Sequence, residues 1–203
     1  MNVAQAEAYI TEQLRQHLSP TLYYHGLHHT LDVVTQALDL AHAEGVQDAE
    51  SLAMLRTAAL FHDAGFLTAY AGHEAVGCEL VRRVLPGFGY APEQVDAICG
   101  CIMATKIPQT AHSHLAEILC DADLDYLGRA DFYPISASLL AELQARDLIT
   151  SPRAWDEVQV KFLSAHRYLT ATGQQRRQAA KQARLAEIQA HLAQPNAPAP
   201  AAG

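Results

Sequence analysis

Apolar positions along this chain recur three and four residues apart through almost its whole length. That spacing lines one face of an α-helix. From Val3 to Leu18 it predicts a first helix, stopped by Ser19-Pro20. An irregular stretch, TLYYHGLHH, leads into a helix through TLDVVTQALDLAHAEG, with Gly45 as its C-terminal cap. Asp48 opens a third helix, DAESLAMLRTAALFHDAG, which ends near Gly65 and leaves His62 and Asp63 in its last turn. A helix over about 73–85 is stopped by Pro86-Gly87, and another runs from Pro92 to about Thr105. IPQTAHSH reads as a loop, and LAEILCDADLDYLG as a mostly apolar helix carrying three aspartates. Helices at about 131–146, 152–171 and 174–192 complete the pattern. No strand pattern and no internal repeat stand out. The predicted fold is all-α, a single compact bundle of eight or nine helices over 1–192, and the Pro/Ala-rich tail 193–203 is predicted to be disordered.

Composition narrows the function classes. The chain has 203 residues, is 50% hydrophobic and carries a formal net charge of −8. An acidic chain lacks the electrostatic footprint of a duplex nucleic-acid reader. Small anions can still be held where a metal or a local cation supplies positive field. GQQRRQAAKQARL reads as a solvated helix face. The four cysteines, Cys78, Cys99, Cys101 and Cys120, form no CxxC pair and fit reduced, buried thiols. The N-terminus has no signal-peptide pattern, and no uncharged apolar run approaches the ~18 residues of a membrane span. The expectation is a cytoplasmic protein with no membrane partner.

Eleven histidines are many for this length. In YYHGLHHTLDVV, His25 and His29 are four apart, a spacing that shares a helix face. His62-Asp63 interrupts the apolar run AALFHDAGF. His73-Glu74 starts a predicted helix. Asp121, Asp123 and Asp125 alternate in CDADLDYLG, where at most one or two aim at one point of a helix. A buried carboxylate is costly unless paired or metal-bound. Imidazole with carboxylate suits a borderline divalent ion, which lowers the pKa of bound water and offsets phosphate charge. His17, His42, His166 and His191 have no such context and read as surface residues. His112 and His114 read as solvated loop residues.

The order His29, His62-Asp63, Asp123 resembles the HD superfamily of metal-dependent phosphohydrolases, over about residues 20–130. YHGLHHTLDVV is similar to the YHNxxHxxDV motif of the cyclic-nucleotide phosphodiesterase branch. AALFHDAGF is similar to AALLHDIG, and DADLDYLG to the DAD helix of several bacterial HD hydrolases. The resemblance implies that His29, His62, Asp63 and Asp123 hold the metal, with Asp121 the competing choice for the last ligand. It implies that His25 protonates the leaving oxygen and that Asp63 also orients or deprotonates the attacking water. Gly26 stands where the motif has asparagine. Ala104 stands where a second-metal histidine often sits, so one divalent metal (Mn, Fe, Co, Ni, Zn or Mg) is expected. His73 and Lys106 are then candidate phosphate contacts, and His28 is a neighbour that packs or hydrogen-bonds. The HHE…GYP signature of the cyclic-di-GMP branch is absent. The implied activity is hydrolysis of a small phosphorylated metabolite, a nucleotide or cyclic nucleotide. The alternative is a non-catalytic metal or nucleotide sensor of the same fold.

Overall fold

The computed structural model describes residues 1–194, so most of the predicted tail lies outside the described residues. Nine α-helices and no strand occur among them, as the periodicity requires. Their packing divides the chain into two compact units, Met1–Leu124 and the segment from Asp125 onward, within the span expected as one domain.

The first unit holds six helices: α1 (Val3–His17), α2 (Leu27–Ala43), α3 (Ala49–Phe61), α4 (His73–Val84), α5 (Pro92–Ala104) and α6 (His114–Asp123). Short polar side chains start several of them. Asn2, Asp48 and Ser113 each accept a backbone N–H three residues on, satisfying a donor the helix itself cannot. Gly45, at φ 81°, follows the α2 cap residue Glu44 and takes the left-handed turn that ends the helix. The α3 helix is the hub, packed by α1, α2, α5 and α6. Its second half, Thr57–Phe61, is buried on every side, which is why this segment reads as a continuous apolar run. The buried stripe of α2 begins at His29 and Thr30 and continues through Val33, Val34, Ala37, Leu40 and Ala41. The first turn of that stripe therefore points an imidazole inward, at the end of α3.

The third helix ends at Phe61, not near Gly65. His62 is its cap residue, and Asp63 (φ −102°, ψ 7°) leads into a 3₁₀ turn over Ala64–Leu67. The change of winding lets both neighbouring side chains face one point, which continued α-helix, about 100° per residue, would oppose. Gly65 makes the turn compatible with α4. A Cβ there would lie 1.9 Å from the His73 carbonyl oxygen and 2.8 Å from its Cα.

The second unit comprises a 3₁₀ turn (Asp125–Gly128) and helices α7 (Phe132–Gln144), α8 (Pro152–Ala165) and α9 (Ala171–Leu192). Predicted bounds 152–171 and 174–192 shift because the chain is extended from His166, so α8 stops earlier and α9 starts at Ala171. The solvated reading of GQQRRQAAKQARL is also corrected. Lys181 is 1% exposed, donates to the His166 carbonyl and lies over the Tyr168 ring. Arg177 Nε donates to the buried Asp125 Oδ1 at 2.7 Å. His191 pairs with Asp156 at 2.7 Å and is half-buried, as is His166, so neither is the surface residue expected. His17 and His42 are exposed. His112 and His114 are exposed too, though His114 is the first residue of α6 rather than part of the loop.

Candidate metal centre

Three elements of the first unit deliver the cluster: the first turn of α2 brings His29, the end of α3 brings His62 and Asp63, and the last residue of α6 brings Asp123. His29 Nε2 lies 3.3 Å from His62 Nε2 and 3.1 Å from Asp123 Oδ1. His62 Nε2 lies 3.6 Å from Asp123 Oδ1 and 3.2 Å from Asp63 Oδ2, and His29 Nε2 lies 3.5 Å from Asp63 Oδ2. Donor atoms held about 2.1 Å from one ion sit roughly 3.0–3.4 Å from their neighbours, so the spacing matches a shared ion.

Two further observations fit a metal. His62 Nδ1 is 2.8 Å from the Ala59 carbonyl oxygen and donates to it, which leaves Nε2 as a lone pair aimed at the cluster. Two imidazole nitrogens 3.3 Å apart, flanked by two carboxylates, need a cation or proton between them. Asp63 Oδ2 is buried and makes no hydrogen bond among the described residues. A buried carboxylate oxygen in that state is costly unless a cation meets it. Two carboxylates and two neutral imidazoles carry the charge that a divalent ion balances. Among the described residues, His29, His62 and Asp123 form the group spaced to hold an ion.

Without metal, protons stand in. Burial lowers the His62 pKa, but the Asp63 and Asp123 carboxylates outweigh it and hold the imidazole well above its ordinary 6.5. Burial raises both carboxylates, and the imidazoles outweigh that: Asp63 is held well below 3.8, chiefly by His62, and Asp123 is lowered by His29 and His62.

The other candidates divide. His73 opens α4, its Nδ1 3.3 Å from the Tyr70 carbonyl and its Nε2 3.4 Å from Asp63 Oδ1 and 3.6 Å from Glu74 Oε1. Burial lowers its pKa, but Asp63 and Glu74 prevail and raise it, favouring a cation beside the cluster. His25 is half-buried, its ring 6.0 Å from that of His29. Asp121 is fully buried two residues before Asp123, about 200° away around the helix axis, and Asp123 is the one whose oxygen meets the imidazoles. His28 is exposed, its ring over Gly26, where a Cβ would come within 2.8 Å of His28 Nδ1. Lys106 is exposed and lines a hollow with Met103, Ile107, Pro108 and His112, whose lining includes none of the clustered residues.

Sequence reasoning passed over Tyr24, Phe66 and Tyr70, whose rings join His25, His29 and His73 beside the cluster. An aromatic residue in an apolar run carries the same signal as any core residue, so only the spacing to His62-Asp63 could have drawn attention to Phe66.

Residues 26–125 match the family model of the HD domain, and the matched segment contains all four clustered residues. The chain carries an HD domain. A crystal structure named as that of a "predicted HD superfamily hydrolase" from an uncultured Thermotogales bacterium is similar in fold, with a TM-score of 0.59 and 21% sequence identity over 94% of this chain and 91% of that one. No curated protein matches the chain. No helix among the described residues is long and apolar enough to cross a membrane.

Proposed function

We propose that this protein is a metal-dependent phosphohydrolase that cleaves a phosphoester of a small phosphorylated metabolite, a nucleotide or cyclic nucleotide. The observation that carries this reading is the convergence of His29 Nε2, His62 Nε2, Asp63 Oδ2 and Asp123 Oδ1, with the His62 tautomer fixed by Ala59. The HD domain and the HD hydrolase of similar fold support it. A divalent ion held there would polarise the phosphoryl oxygen and make hydroxide available near neutral pH.

The protein's own groups supply the rest. Asp63 presents one oxygen to the imidazole pair and the other to His73, so it can ligate and also orient the attacking water. His73 stands beside the cluster with its Nε2 facing Asp63 Oδ1 and Glu74 Oε1, and it is the candidate contact for phosphate charge there. His25, beside the cluster but outside it, would give a proton to the departing oxygen, a step that contributes about 10²–10⁴-fold in enzymes. The YHGLHHTLDVV resemblance favours a cyclic phosphodiester, and the test therefore compares 2′,3′- and 3′,5′-cyclic nucleotides with 5′-nucleotides under Mn, Co, Ni and Mg. Metal-dependent turnover of one class, abolished by His62→Ala, supports the reading. Tight nucleotide binding by metal-loaded protein with no turnover would replace it with a sensor.

A further inference from the structure

Phe66 sits three residues after Asp63 in the 3₁₀ turn and is 8% exposed. The ring stacks on two imidazoles at once. His73 lies 3.9 Å away at an interplanar angle of 21°, and His25 lies 4.4 Å away at 29°. Tyr70 meets it edge-on at 5.3 Å. Tyr24 then joins His25 (4.6 Å) to His29 (4.5 Å). Neither His25 nor His73 belongs to the His29–His62–Asp123 group, yet both stand at its edge.

The position of Phe66 is tied to the cluster by backbone. Phe66 N–H donates to the Asp63 carbonyl at 3.0 Å, and Gly65 abuts the His73 backbone. The Phe66 backbone is therefore fixed relative to Asp63. Its chemistry suits a spacer: a flat face to stack on and no polar atom to compete for the imidazole nitrogens. A leucine would fill much of the volume but present no face.

We infer that Phe66 is a positioning residue that fixes His25 and His73 together at the edge of the metal cluster, so that one ring sets both the leaving-group proton donor and the phosphate contact. This rests on the phosphohydrolase reading above. Phe66 touches none of the reacting atoms, so its substitution spares metal binding and acts through the two imidazoles.

The experiment uses the full chain loaded with Mn²⁺ and a series of aryl phosphodiesters whose leaving phenols span a range of acidity. Phe66→Leu is expected to keep one metal per chain with Kd within about threefold, and to lose about 30-fold in kcat as part of the general-acid contribution. The loss should grow as the leaving group becomes poorer, a trend that mere loosening of the fold would not produce. Phe66→Tyr should restore most of the rate. In a His25→Ala background Phe66→Leu should cost much less than in the wild type, because the two substitutions act through one group. In the Zn²⁺-loaded protein, the imidazole Cε1–H resonances of His25 and His73 should lose their ring-current shift in Phe66→Leu and keep it in Phe66→Tyr. Full rate and unchanged leaving-group dependence in Phe66→Leu would overturn the inference while leaving the phosphohydrolase reading intact. So would loss of metal, or a loss of rate that is the same with and without His25. A wild-type chain that neither binds metal nor hydrolyses any ester defeats the phosphohydrolase reading and takes this inference with it.

Discussion

Gly65→Ala isolates the contact that registers α4 on the metal cluster. The added methyl would lie 1.9 Å from the His73 carbonyl oxygen, 2.6 Å from its carbon and 2.8 Å from its Cα. Carbon and carbonyl oxygen approach comfortably to about 3.3 Å, so the α4 start must retreat by more than an ångström. The obstructing atoms are backbone, which no rotamer change relieves. Overpacking costs about 1–3 kcal/mol, and the rigidity of this contact places it near the upper end, about 3 kcal/mol. For a chain of this size that corresponds to a fall in Tm of roughly 6–12 °C. Calorimetry of the metal-free protein measures it. Gly100→Ala is the matched control: Gly100 is exposed on α5 with nothing within 4 Å of the added carbon, so it should gain about 0.5–1 kcal/mol from helix propensity. If Gly65→Ala melts within about 2 °C of the wild type, the close approach at Gly65 does not register α4.

Three other outcomes follow from the same geometry. The depressed carboxylates Asp63 and Asp123 contribute stability that is present above their ordinary 3.8 and is lost as pH falls through their lower folded values. The raised His62 contributes stability that is present below 6.5 and is lost as pH rises through its higher folded value, so the metal-free chain should be most stable between these limits. A divalent ion must displace the His62 proton, so the increase in Tm produced by metal should grow from pH 5.5 to pH 8, read by thermal scans with and without Mn²⁺. Asp125→Ala leaves the partly exposed Arg177 without its 2.7 Å partner and should destabilise the second unit by about 1–3 kcal/mol in urea titration, with metal affinity unchanged.

The sequence was most legible where chemistry overrode patterning. His62-Asp63 stood out because polar residues interrupt a buried run, and the burial of Thr57–Phe61 confirms that the run is core. The cluster position of Asp123 against Asp121 needed the helix axis, since both lie in one apolar helix and only rotation separates them. The end of α3 was less legible because HDAG continues an apolar pattern, whereas the backbone leaves the α-helical winding at Asp63, just after the cap residue His62. Phe66 and Lys181 were illegible for opposite reasons. Phe66 resembles any core aromatic until its stacking partners are known. Lys181 sits in a charged segment, and its burial follows from the His166 carbonyl and Tyr168 ring, which lie 15 and 13 residues earlier in the chain.

We predict that His29, His62, Asp63 and Asp123 together bind one catalytic ion. Calorimetric titration of metal-free protein with Mn²⁺, checked by elemental analysis, tests it most directly. About one ion per chain is expected, with affinity falling about tenfold or more in His62→Ala and in Asp123→Ala, while both variants stay folded. A wild-type chain that takes up no ion, or variants that bind as the wild type does, would contradict it.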